Sequence, residues 1–324
     1  MIDIPEISKQ IYSEDTFGVL EKKYSTLGPL WVSHQVEWNN GIYASFKDHD
    51  KFMIIIFLTK KTLEFYSRNF IKLTFDDFYS KNIIEIEKFT IKEISQALSI
   101  PKESTRRKVQ ELYDIGAIKK IKKKTIIDRS NFYYSKPVDS IKRVSRFLSI
   151  LSEMCKNEKV LPDTLTSEQL ELIIKKNFSY IWLKYYELQI PMMISYKEIF
   201  TDLETFHIFG VCIVNQHLGV KKINENLMNR DNFIKILVGP SKVQGVNAMS
   251  ISDITGIPRA TVIRKLKKMI ELNFLTIDDK KLYRLSGKFS NRLKPTQKNV
   301  FIKLASFSAK IFNLVMYDKI ENAK

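Results

Sequence analysis

Cysteine and histidine are scarce in this chain of 324 residues, and it has no long apolar run; each shortage excludes a class of protein. Two cysteines cannot staple a fold of this length, and both Cys155 and Cys212 sit in apolar patterns, which marks them as buried thiols of a reducing compartment. Of the four histidines, His34, His49, His207 and His217, two lie near Cys212, but the spacing of His207, Cys212 and His217 matches no zinc signature, so no metal is expected. The stretch VGPSKVQG at 238–245 lacks the spacing that lets backbone N–H groups cradle phosphates and reads as a loop. Asp76-Asp77 has no neighbouring nucleophile or base and reads as a solvated helical face. Neither an enzyme nor a cofactor is expected. The most apolar run, FMIIIFL at 52–58, is a core segment, far short of the roughly 20 residues that cross a bilayer. The amino terminus MIDIPEISKQ is acidic where a signal peptide would be positive. A cytoplasmic location with no membrane partner is the expectation.

Positive charge is abundant: 53 Lys and Arg face 36 Asp and Glu, a net charge of +17. The chain is also rich in Ile, Lys, Asn, Phe and Tyr, as an A+T-rich coding sequence would make it, and such bias scatters lysine, whereas a surface for a polyanion gathers it. Residues 101–130 hold ten basic and four acidic side chains, and residues 257–294 hold eleven and three. The charge is therefore gathered into two clusters. With 44% apolar residues and roughly 100 to 200 residues per domain, the length suggests two domains, each with its own core.

The clusters align without a gap, at a constant offset of 157 that sets Ile100-Pro101 on Ile257-Pro258. The same offset sets Ile94 on Ile251, Arg107 on Arg264, Lys108 on Lys265 and Leu112 on Met269. Each motif, 90–128 and 249–286, opens on a capping signal, Thr90 with Glu93 and Ser250 with Asp253, three residues out of register. The short helix that follows should end at Ser99 or Gly256, because Ile-Pro disfavours helix before the proline and suits the first turn of a new one. In that second helix Val109, Leu112 and Tyr113, or Val262, Leu266, Met269 and Ile270, form one apolar stripe. The opposite face carries Lys102, Ser104, Arg106, Arg107 and Gln110, or Arg259, Thr261, Arg264 and Lys267, residue types that bond phosphate oxygens and base edges. Gly116 and Asn273 suit a left-handed C-cap, and a hairpin follows, turning near Lys122, Lys123 and Lys124 or near Asp278 to Lys280.

Helix, turn, helix and hairpin in this order resemble the winged helix-turn-helix of bacterial and archaeal transcription regulators. The resemblance implies a second helix in the major groove and a hairpin, the wing, against the flanking backbone, with double-stranded DNA as partner. Asp278 and Asp279 depart from the pattern. They would repel phosphate, so the second wing should point away from DNA or use only Lys280, Lys281 and Arg284.

The repeat reaches beyond the motifs. Lys-Pro precedes an amphipathic helix after each, with Ile141, Val144, Leu148 and Leu151 on one face in the first and Val300, Leu304, Phe307, Ile311 and Leu314 in the second. About 40 residues before each motif, the run at 52–58 corresponds to FHIFGVC at 206–212. The expected organisation is a unit at 1–156, a linker at 157–169 with Pro162, and a second unit at 170–324. Such units resemble subunits of multiple-antibiotic-resistance-type (MarR-like) regulators, fused here in tandem. The expected fold is mainly α with small β wings and an approximate two-fold axis, either a monomeric pseudo-dimer or a homodimer of chains. Because KESTRRKVQ and RATVIRKLK differ, a DNA site with two unlike halves is predicted. A plasmid or replication initiator with tandem winged helices, a winged-helix interaction scaffold and, least favoured for want of an acidic metal cluster, a nuclease are the alternatives. Aromatic residues crowd 27–79, among them Trp31, Trp38, Phe57, Phe65, Tyr66, Phe75, Phe78 and Tyr79. At helical spacing they read as core, and a small-molecule effector held there is the rarer alternative, with no ligand named.

Overall fold

The computed structural model describes residues 10–223, 227–239 and 244–322. The acidic start of the chain, on which the reading against a signal peptide rests, and the middle of the 238–245 loop lie outside the described residues. The fold is mainly helical, with two small antiparallel sheets.

The chain begins with α1 (Ser13–Lys22), α2 (Tyr24–Phe46), α3 (His49–Arg68) and the short α4 (Phe75–Tyr79). Then come β1 (Ile83–Ile86), α5 (Ile91–Leu98), α6 (Lys102–Asp114), β2 (Ile118–Ile121), β3 (Lys124–Asp128) and α7 (Val138–Asn157). The same order returns in α8 (Ser167–Lys176), α9 (Phe178–Phe200), α10 (Leu203–Ile223), α11 (Arg230–Val238), α12 (Ala248–Thr255), α13 (Arg259–Glu271), β4 (Leu275–Ile277), β5 (Tyr283–Leu285) and α14 (Phe289–Asn322). α12 and α13 start and stop 157 residues after α5 and α6. The sheets differ. β3 lies between β1 and β2, with Ile127 opposite both Ile84 and Ile118, whereas β4 pairs with β5 alone and a single bridge from Val246 to Tyr283 stands at the outer edge.

The halves are crossed rather than side by side. α1 packs on α14 and α8 on α7; α2 packs on α10 and α9 on α3; and α3 touches α10. The apolar run at 52–58 lies within α3, with Ile54 and Leu58 fully buried, and one continuous core joins it to Leu148, Trp182, Phe209 and Leu304. The stretch from Glu158 to Thr166 is held against α7: Leu161 and Leu165 are buried, and the Leu165 N–H donates to Ser152 Oγ at 2.9 Å. Thr166 then caps α8 in a capping box with Gln169.

Two helix starts differ from expectation. The cap of α12 is Asn247, whose extended backbone lets Oδ1 accept the Ser250 N–H at 2.9 Å, so the helix begins one turn ahead of the Ser250 signal. Thr90, 157 residues earlier, caps α5 by accepting the Glu93 N–H at 3.1 Å, and the two motifs are in register after all. α14 begins at Phe289, not after Lys294-Pro295, so Pro295 sits inside it and forgoes one helical hydrogen bond. Burial of Val300, Leu304, Phe307 and Ile311 offsets that loss. By length and composition Arg292–Asp318 could cross a membrane, but 56% of that apolar window is buried within the protein, as in a core helix. The first terminal helix does open behind its proline, at Val138.

Candidate nucleic-acid interface

The two motifs are built by the same local bonds. α5 ends at Ser99 in the left-handed region (φ 50°) and α12 at Gly256 (φ 68°), and Ile100 and Ile257 are buried in the turns. A serine ties each turn down: Ser95 Oγ donates to the Ile100 carbonyl at 2.6 Å and Ser252 Oγ to the Ile257 carbonyl at 2.7 Å. Val109 and Leu112, or Val262, Leu266 and Met269, are then driven into the core, with Tyr113 and Ile270 half-buried beside them. Gly116 (φ 73°) and Asn273 (φ 61°) turn the chain towards its hairpin, the positive φ that glycine and asparagine tolerate best.

With one face buried, the other faces water. Lys102, Arg106, Arg107 and Gln110 are exposed on α6 and Ser104 is half-exposed; on α13, Arg259, Arg264 and Lys267 are exposed and Thr261 is half-exposed. The faces differ in local partners. Arg106 lies 3.4 Å from Glu103, Arg107 lies 3.7 Å from Glu111, and Gln110 donates to Asp114 at 2.8 Å. Arg259, Arg264 and Lys267 form no ion pair with a described residue, and Glu271 is the sole acid of α13.

The hairpins reverse that contrast. Lys122 and Lys123 form the exposed first tip; Lys124 opens β3 and pairs with Glu85 at 2.7 Å. In the second, Lys280 and Lys281 are exposed, but Arg284 is half-buried on β5 opposite Thr276, away from the tip. Asp278 has a local purpose: its Oδ1 accepts the Lys280 N–H at 3.0 Å and the Leu282 N–H at 2.9 Å, so the carboxylate shapes the turn.

Two lysines of the recurring pattern do something the sequence did not reveal. Lys108 pairs with Asp48 and Lys265 with Asp202, both lysines largely buried. Asp48 caps α3, accepting the Asp50 N–H at 2.9 Å, and Asp202 stands just before α10, accepting the Thr205 N–H at 2.8 Å. Burial pushes both carboxyls up, yet the lysine hydrogen bonds and charges prevail and hold them below their ordinary values. Each basic helix is thus tied to the amino-terminal end of a central helix. Those two ends adjoin, since His49 Nε2 lies 3.2 Å from His207 Nδ1, and His207 Nε2 lies 2.8 Å from Asn40 Oδ1. Burial lowers His49 to about 4, while Asp48, Asp202, Lys108 and Lys265 all act on its charge at once. Both ties therefore flank one point. A sequence signal existed: Lys108 falls on the apolar stripe with Thr105, Val109 and Leu112, where an unpaired cation would not stay.

The remaining candidates resolve into structure. Asp77 closes a capping box with Thr74 at the start of α4. His207, Cys212 and His217 are each buried, and among the described residues no group of three or more His, Cys, Asp or Glu could hold a metal. Burial pushes the Cys155 and Cys212 thiols up to about 12, so neither is a ready nucleophile. Of the aromatic residues at 27–79, Trp31 and Trp38 are buried and Phe65 is 40% exposed. No family of known proteins, no curated protein and no solved structure matches the chain.

Proposed function

We propose that the chain is a sequence-specific, double-stranded DNA-binding transcription regulator of the cytoplasm, built of two tandem winged helix-turn-helix units in a MarR-like arrangement about an approximate two-fold axis. α6 and α13 act as recognition helices, and the hairpins act as wings. The observation that supports the reading is the pair of lysine ties: two helices with exposed cationic faces are anchored at the adjoining ends of α3 and α10. Among the exposed cations are Lys102, Arg106, Arg107, Lys122, Lys123 and Lys124 in the first unit and Arg259, Arg264, Lys267, Lys280 and Lys281 in the second. Gln110, Ser104 and Thr261 add neutral donors and acceptors suited to base edges.

Binding is driven by release of counterions from phosphates. If about six to ten of these cations engage the backbone, affinity for a duplex falls by about 10³ to 10⁵ between 50 and 200 mM salt. Selection from random duplexes, followed by a salt titration on the selected sequence, tests this. The expected outcome is a site of two unlike halves with a steep salt slope. Absence of duplex binding at 50 mM salt overturns the reading, and a perfect palindrome overturns the use of both motifs of one chain together.

A further inference from the structure

Arg129 follows the last residue of β3, and its side chain is 8% exposed. Nη2 donates to the Phe78 carbonyl at 2.9 Å, and the guanidinium lies 4.6 Å from the Phe78 ring centre and 4.4 Å from that of Tyr79. Nε and Nη1 are buried without a partner. No described carboxylate pairs with it: its neighbour Asp128 is engaged by Lys119 at 2.7 Å and by Ser130. An arginine does not shed its proton in a protein, so this is a buried positive charge held by one carbonyl and two rings, with no described carboxylate opposite it. Such a charge is costly to keep unless something negative arrives.

The guanidinium borders a cavity of about 40 Å³ between α3, β3 and α9, whose walls include Trp38, Phe52, Tyr134, Trp182 and Tyr186. At about 10 to 15 Å³ for one water, there is room for about three non-hydrogen atoms, the size of a carboxylate. Lys136 stands outside, 5.9 Å from the Tyr79 ring centre, and adds to the positive potential. The other half supplies a contrast. Ser286 stands 157 residues after Arg129, and a cavity that reaches α10, lined by Gln35, Asn39 and His207, has no arginine or lysine among its walls.

We propose that the cavity beside Arg129 is an anion site, present in the first half only, that takes the carboxylate of a small organic acid. The guanidinium supplies charge-assisted hydrogen bonds from the nitrogens now without partners, and the aromatic walls exclude water from the pair. The site stands whatever the basic helices bind, because it rests on Arg129 and its cavity alone.

The test is thermal unfolding and calorimetric titration of the full chain with sodium formate, sodium acetate and sodium chloride at constant ionic strength. Formate or acetate should raise Tm saturably, and Arg129→Met, which fills similar volume without charge, should abolish the shift. An equal shift in Arg129→Met, or none in the wild-type protein, overturns the site. A chloride shift as large as that of acetate overturns the carboxylate assignment. If Arg129→Met does not fold, Arg129→Lys decides: it keeps the charge but not the planar donors, and should bind acetate at least about tenfold more weakly. Equal affinity in Arg129→Lys overturns the proposal.

Discussion

The two helix-turn-helix regions share a backbone and divide their charge in opposite ways. α6 carries four basic and three acidic residues, while the hairpin behind it, 118–128, carries five and one. α13 carries five basic residues and one acidic, while its hairpin, 275–285, carries three and two. In the first region Lys122 and Lys123 stand exposed at the hairpin tip while Arg106 and Arg107 of the helix are shared with Glu103 and Glu111; in the second, Arg259, Arg264 and Lys267 of the helix pair with no described acid and an aspartate shapes the tip. Each region keeps one strongly cationic element. A repeat can keep its packing positions unchanged while the exposed ones move the charge from helix to hairpin, because only the buried stripe must match for the fold to hold.

The widest break in the comparison is expected in acid, which acts on both halves through buried histidines. His34 and His49 lie in the first half, His207 and His217 in the second, and all four are buried. Burial lowers His34 and His217 to about 3 and His49 to about 4, and it takes His207 well below its ordinary value. Because the unfolded chain protonates near 6.5 and the folded one does not, this stability is complete above pH 6.5 and is lost as pH falls towards 4. Each histidine costs about 1.4 kcal/mol per pH unit, so four cost about 5.5 kcal/mol per unit. Urea unfolding at pH 7.5, 6 and 5 should show this fall as one transition by tryptophan fluorescence and by circular dichroism. Two separate transitions would mean that the crossed halves do not unfold together. His217→Gln should reduce the slope by about a quarter.

The lysine ties should rank next, and unequally. Removing Lys265 strands Asp202 and leaves Glu204, 3.8 Å away, without that cation. Removing Lys108 strands Asp48, but Asp50 keeps Lys197 at 2.9 Å. Lys265→Met is therefore expected to cost about 3 kcal/mol and Lys108→Met about 2 kcal/mol in urea unfolding. Equal losses would show that the extra carboxylate is immaterial.

Surface charge should separate the regions in binding but not in stability. On the DNA reading, Arg259→Gln with Arg264→Gln should lower duplex affinity by about tenfold or more, and so should Lys122→Gln with Lys123→Gln. The counterpart pairs, Arg106 with Arg107 and Lys280 with Lys281, should lose less, because acidic neighbours already offset them. Salt slopes measured on all four double variants check the ranking, and a reversed ranking would refute the division of labour.

What was readable in advance is what local chemistry decides. Ile100-Pro101 and Ile257-Pro258 announce a turn because proline restricts its predecessor, and the stripes at Val109 and Val262 announce a buried face. Contacts that depend on which helix meets which were not readable. Nothing near Ser13 says that α1 packs on α14, nothing near Asp48 names Lys108, and Arg129 looked like one more basic residue of a basic cluster. The exposed faces carrying Arg107 and Arg264 were legible as surfaces, whereas the lysine ties and the contact of His49 with His207 are non-local.

The smallest effects test the start of the two motifs. Thr90 and Asn247 each satisfy one orphan N–H of the first turn, and replacement by alanine should cost about 1 kcal/mol at either position. Thr90 also receives a return bond, its own N–H donating to Glu93 Oε2 at 3.4 Å, so Thr90→Ala with Glu93→Ala should exceed Thr90→Ala alone by a few tenths of a kcal/mol. Asp253, which sequence alone places three residues behind a capping Ser250, is exposed and lies inside α12, too far along to close such a box on Asn247. Ser250→Ala should then change stability by less than about 0.5 kcal/mol, because its side chain caps nothing while its N–H keeps Asn247. If Ser250→Ala proves the costlier change, α12 starts a turn later than the bond from Asn247 requires, and the two motifs are out of register at their first turn.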